Sequence, residues 1–273
     1  MSTPTNWTFL YNSDIKHASV IEKVNNTKGE YTNEMSTSTL SNITKDRYDL
    51  AEFTGGTGGS YGITIHIQFA SAKKHPYLIL ENMTFDTSTI NWRLYGYTSN
   101  SQSNGVLLNA YDSMPSSKAN KNNCYCFYNA TAPGTYSHFW LVLYQIDLSS
   151  LKIGQLWLQQ ESYKFSRPPT NFKILNVEKT ILNTTSGGIS SKQNLYTKQG
   201  LNFSTPLLSG TDLTNFRLAY KTLIAAPFWL IYPDSLGTDG YKFLKLNLIA
   251  SINEENKVSD KFSMKWATME SYI

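Results

Sequence analysis

Arg93, Tyr95 and Tyr97 stand two residues apart in the segment NWRLYGY, and on a strand that spacing turns all three side chains to one face. A guanidinium beside two phenol rings suits a flat ligand or a protein partner, because the rings offer π faces while the polar tips fix orientation. Trp92 and Leu94 take the opposite face for the core, so Arg93, Tyr95 and Tyr97 are the best candidates for ligand or partner binding. Trp7, Tyr11, Tyr61 and Tyr111 are further aromatic residues set beside polar neighbours.

Catalytic patterns are missing. Nucleophilic catalysis needs a nucleophile beside its base, and no G-x-S-x-G elbow occurs. Metal chemistry needs ligand spacing, and four dispersed histidines with no H-E-x-x-H do not supply it. Cys124 and Cys126, in CYCFY, share one strand face about 7 Å apart, which disfavours a local disulfide and reads as two half-buried strand residues. FTGGTGGSYG is a turn: it lacks the Lys-Ser/Thr of a phosphate loop and precedes a strand instead of a helix. Glu52, Asp86, Asp112 and Asp147 are available for glycan cleavage, but nothing in the sequence pairs two of them. No catalytic residue, metal ligand or cofactor is therefore assigned, and the chain reads as a non-enzyme.

The elements that must position the aromatic face are strands. The chain has 273 residues, 14% aromatic and only 16% charged, a balance that favours β-structure with polar loops. Its net charge of +4 is scattered, without the basic stripe of a nucleic-acid binder. No basic-then-apolar leader opens the chain and no apolar run reaches 18 residues, so neither a secretion signal nor a membrane span is expected. Seven Asn-x-Ser/Thr sequons follow from the abundance of those residues and do not mark a secreted glycoprotein.

Residues 1 to about 60 read as polar and irregular. ITIHIQF at 63–69 alternates cleanly, turning His66 outward among polar neighbours. YLILE, NWRLYGY, GVLLNAY and CYCFY follow as strands. HFWLVLYQIDL is apolar at both parities, which predicts a strand covered on both faces. DLSSLK reads as a turn and Ile153 to Leu158 as the last strand of a jelly roll or sandwich.

The prolines of SRPPT place a domain boundary, giving domains 1–168 and 169–273. The second part is expected to be β-structure with one helix at 211–226, capped by Thr211 and carrying Leu213, Phe216, Tyr220 and Leu223 on one face. Strands are predicted at 172–182 and 228–234, and in YKFLKLNLIASI, where apolar residues alternate from Leu244 to Ile252 against Lys245 and Asn247. A last strand carries Phe262, Met264 and Trp266 on one face.

In order, ITIHIQF, NWRLYGY, FWLVLYQID and IGQLWL resemble the N-terminal galactose-binding-like, discoidin-type jelly roll of some bacteriophage tail and baseplate proteins. Asp147 matches the Asp that ends their long strand, and Ile153 to Trp157 match an I-G-R-L-F strand, with Gln155 in place of Arg. Ser186, Gly187 and Gly188, the helix, and Pro233 with Asp234 match features of their second β domain. The resemblance implies a structural virion protein of the tail, in the baseplate or tail-tip region. Its C-terminal domain would dock into a homo-oligomeric ring beside other tail proteins, and its jelly roll would face a neighbour or a host glycan, with no nucleic-acid or membrane partner. The alternatives from other classes are a carbohydrate-binding adhesin module and, further off, a glycan-cleaving enzyme.

Overall fold

The computed structural model describes residues 6–26, 28–45, 49–99, 105–120, 123–128, 134–159, 162–184, 190–233, 241–249, 254–258 and 261–271. The protein is mainly β, as its composition predicts, with one α-helix among the described residues. The first part of the chain contributes β1 (Thr8–Leu10), β2 (Val20–Val24), β3 (Asn33–Glu34), β4 (Ala51–Thr54), β5 (Ser60–Lys73), β6 (Tyr77–Glu81) and β7 (Thr84–Phe85). These are followed by β8 (Thr89–Tyr97), β9 (Val106–Pro115), β10 (Tyr125–Tyr128), β11 (Tyr136–Ile146), β12 (Ser150–Ile153), β13 (Gln155–Gln159) and β14 (Ser162–Lys164). The rest is β15 (Thr170–Thr184), β16 (Ser190–Ser204), α1 (Gly210–Leu223), β17 (Phe228–Pro233), β18 (Tyr241–Leu248), β19 (Glu254–Val258) and β20 (Lys261–Glu270).

Three cores separate four layers. A six-stranded sheet, ordered β2-β5-β11-β8-β9 with β3 added to β5, packs on two three-stranded sheets, β10-β6-β13 and β4-β12-β7. Ile63, Ile65 and Ile67 of β5 and Phe139, Leu141 and Leu143 of β11 meet Leu78, Leu80, Leu156 and Leu158 in the core between them. Burying side chains of this kind stabilises by roughly 1.5–3 kcal/mol each. The sheet β10-β6-β13 has a second buried face: Tyr77, Ile79, Cys126 and Trp157 point away from that core and pack on Leu10, Trp229, Ile231 and Tyr241. Those belong to an eight-stranded sheet, ordered β14-β1-β17-β18-β20-β16-β15 with β19 on β20. Its far face carries Phe9, Phe203, Leu246 and Trp266 against Leu213, Phe216, Ala219 and Leu223 of α1.

The seven strands read between 63 and 158 form a β-sandwich with the two-sided burial expected of HFWLVLYQIDL, since Trp140 and Val142 are buried along with Leu141. Several expectations are corrected. Residues 6–60 are not irregular: short strands and two 3₁₀ turns bury Trp7, Phe9, Ile15, Met35 and Ile43, in runs too brief for periodicity to reveal. DLSSLK is a turn only at its start, because Ser150–Ile153 pairs with β4. The strand expected at 153–158 is two: Gly154 ends β12, and β13 continues in a different sheet. A Cβ at Gly154 would lie 3.0 Å from that of Asn82 and 3.2 Å from the Glu81 carbonyl, so the switch is made where a side chain has little room.

The helix starts at Gly210, after Ser209 and not at a Thr211 cap, with Gly210 in the left-handed region (φ 52°), and it ends at Leu223, before the residues expected to extend it. Trp7, grouped with aromatics beside polar residues, is buried in the core under α1. β1 and β14 sit in the eight-stranded sheet, so the packing boundary does not coincide with the covalent one near 168. The Ser186-Gly187-Gly188 turn, Asp234, Ala250 and Ile252 lie outside the described residues. No helix among the described residues is long and apolar enough to cross a membrane.

Candidate functional site

The outer face of the six-stranded sheet collects the polar and aromatic parity of its strands. Register aligns Glu22, His66, Trp140 and Tyr95 in one row across β2, β5, β11 and β8, with His138 and Tyr97 in the next. Arg93, Tyr95 and Tyr97 therefore share this face, as their spacing predicts. Arg93 is ion-paired with Asp112 of β9, and its guanidinium lies 5.8 Å from the Tyr144 ring. The Tyr95 hydroxyl donates to Glu30 Oε1 at 2.6 Å.

Tyr97 departs from expectation: it is on the outward face yet only 2% exposed, packed 5.4 Å from the Trp140 ring. The segment after β2 accounts for this. Tyr31 lies back across the sheet and exchanges a 2.9 Å hydrogen bond with Thr64, and the Lys28 ammonium stands 5.5 Å from the Tyr95 ring and 5.9 Å from that of Tyr97. Gly62 admits Tyr31, since a Cβ there would fall 2.5 Å from its ring. The barrier to ionising the Tyr97 phenol is raised by burial first and by Glu30 second, pushing its pKa up to about 12.

His66 is also corrected. It is buried, not solvated, because the polar parity of β5 is covered by β2 and joined to a second histidine. Its Nδ1 is 2.9 Å from Glu22 Oε1 and its Nε2 is 2.9 Å from His138 Nδ1, with the two ring planes nearly parallel. An ionised carboxylate only accepts, so His66 donates through Nδ1; in its neutral form its Nε2 then accepts from the His138 Nδ1–H. Burial, then proximity to His66, lowers the pKa of His138. Two histidines joined by a hydrogen bond are not a metal centre, and no group of three or more metal-binding side chains occurs among the described residues.

A second polar cluster lies between the sheets. Glu81 and Gln155 are each 1% exposed; Glu81 is paired with Lys245 at 2.7 Å and accepts from the Trp229 indole at 3.2 Å. Gln155 accepts from Trp157 at 2.9 Å, and the Lys245 ammonium lies 5.2 Å from the Trp157 ring. Lys245, expected on a polar face, is thus buried with its partner. Cys124 and Cys126 face the same interface as buried thiols that form no disulfide; burial pushes the Cys124 pKa up to about 12, which suppresses its reactivity. The cluster is a weld between layers.

The comparisons leave the chain without a family. No family model matches, and no curated protein is similar to it. Among solved structures it is similar to a mutant Ruminococcus gnavus GH29 fucosidase in complex with fucose, at a TM-score of 0.37 and 13% identity over 55% of this chain. It also matches reduced XRCC1 bound to the DNA polymerase beta catalytic domain, at 0.34 and 12% over 56% of this chain and 99% of that one. The chain spans about a quarter of the fucosidase, 27% of its length. Likenesses this weak carry no functional argument.

Proposed function

We propose that the protein is a non-enzymatic structural component of a bacteriophage tail, in the baseplate or tail-tip region. On this reading it assembles with copies of itself and other tail proteins through its second part, and the Arg93–Tyr97 face meets a neighbour or host glycan. The observation that supports it is the free edge of β15. The strand is 15 residues long, about 50 Å at 3.3 Å per residue, and pairs with β16 alone among the described residues. Ile174 and Leu175, adjacent and so on opposite faces, are 43% and 36% exposed, and Phe172 is 37% exposed. An unpaired strand edge that exposes apolar side chains at 172, 174 and 175 is a template for another strand.

The test is the assembly state of the intact chain. Sedimentation across a concentration series should show a discrete oligomer that Ile174→Lys with Leu175→Lys returns to a folded monomer. A wild-type chain that stays monomeric and does not copurify with virions would overturn the reading. So would turnover of a host polysaccharide that one carboxylate substitution abolishes.

A further inference from the structure

Three polar atoms on the outer face of the six-stranded sheet are buried without a hydrogen-bond partner: Glu30 Oε2, the Tyr97 hydroxyl and Trp140 Nε1. Tyr97 and Trp140 are 2% and 4% exposed, and their rings touch each other and the Tyr95–Tyr97 pair. Glu30 presents one oxygen to the Tyr95 hydroxyl and holds the other buried without a partner, beside rings whose faces attract positive charge. The Lys28 ammonium already stands over two of those rings, with no ion pair to Glu30.

We propose that Glu30, Tyr95 and Tyr97 bind a protonated primary amine at the position the Lys28 ammonium now holds, and that such a ligand displaces Lys28. The chemistry narrows the class. The buried, unpartnered carboxylate oxygen requires a hydrogen-bond donor, and the ring faces require a cation, so one N⁺–H group answers both demands. A quaternary ammonium meets only the second, a neutral sugar hydroxyl only the first, and an anion is repelled by Glu30. The Trp140 N–H and the Tyr97 hydroxyl remain to orient an acceptor carried next to the amine. The inference rests on this face being a contact surface and is independent of ring assembly.

The experiment follows the Trp140 indole N–H signal by NMR in the full chain while methylammonium is added. Wild type should bind weakly and saturably, and Lys28→Ala should bind about tenfold more tightly. In the Lys28→Ala background, Glu30→Gln should lose about tenfold, and tetramethylammonium should bind about tenfold more weakly than methylammonium. Glucosamine and N-acetyllysine amide then separate an amino sugar from a lysine side chain as the amine's source. If Glu30→Gln fails to fold, Tyr97→Phe keeps the ring and still reports the orientation of a glucosamine ligand. No saturable shift in Lys28→Ala, or equal binding of the two ammonium ions, would overturn the proposal. Failure here leaves oligomers in the sedimentation test untouched, and a monomer there leaves amine binding to be read on the monomer.

Discussion

His138 carries a charge-dependent load that its sequence context does not advertise. Its pKa is depressed below the ordinary 6.5 by burial and by His66, so between the two values the unfolded chain holds more protons than the folded one. Stability from this group is therefore full above about pH 6.5 and is lost as pH falls toward the folded value, by at most about 1.4 kcal/mol per pH unit for one proton. Urea midpoints should drop from about pH 7 to about pH 5, and His138→Gln should flatten that slope. An unchanged slope in the variant would assign the acid sensitivity elsewhere. At this scale the sequence was a partial guide: alternation placed Arg93, Tyr95 and Tyr97 on one face, and it placed His66 on the same side of the sheet. It could not show that Lys28, dozens of residues away, and Gly105 close over Tyr97, or that Tyr31 folds back onto Thr64.

Strands were legible where polar and apolar residues alternate, even though both faces of β5 are buried, and hard to parse where nearly every residue is apolar. ITIHIQF announces β5 by alternation, whereas YLILE and QLWLQ are apolar or buried at nearly every position because the sheet β10-β6-β13 faces two cores. The Glu81–Lys245 pair is the polar exception between those layers. Lys245→Met should destabilise by about 3 kcal/mol by stranding a buried carboxylate, and adding Glu81→Gln should recover at least half, since Gln still accepts from Trp229. Denaturant unfolding of the two variants decides it. Gly62 makes a second element-scale test. A methyl there meets Tyr31, the Tyr144 Cβ and the Leu143 carbonyl within 2.8 Å, so Gly62→Ala should cost about 1–3 kcal/mol. It should also raise the exposure of Tyr31 to chemical modification.

The whole molecule is a stack in which the β10-β6-β13 sheet joins a sandwich to a helix-backed sheet, and its division is spatial more than sequential. The proline-rich SRPPT segment is a local signal, but no local signal tells that Thr8–Leu10 joins the sheet built mostly from residues beyond it, because three residues carry too little periodicity. A chain starting after Leu10 should leave β14 and β17 facing an open slot. A peptide spanning residues 6–11 should bind such a chain and raise its melting temperature; no effect would mean that β1 is dispensable to the sheet.

That slot has a consequence in time. Leu10 pairs with Ser162 on one side and with Trp229 on the other, so the second pairing closes a loop that takes in most of the described residues. Closing a loop of that length is slow in entropic terms, and the strands between can collapse first. β1 should therefore be a late-closing fastener, and a chain without it should expose the apolar edge it leaves unfilled.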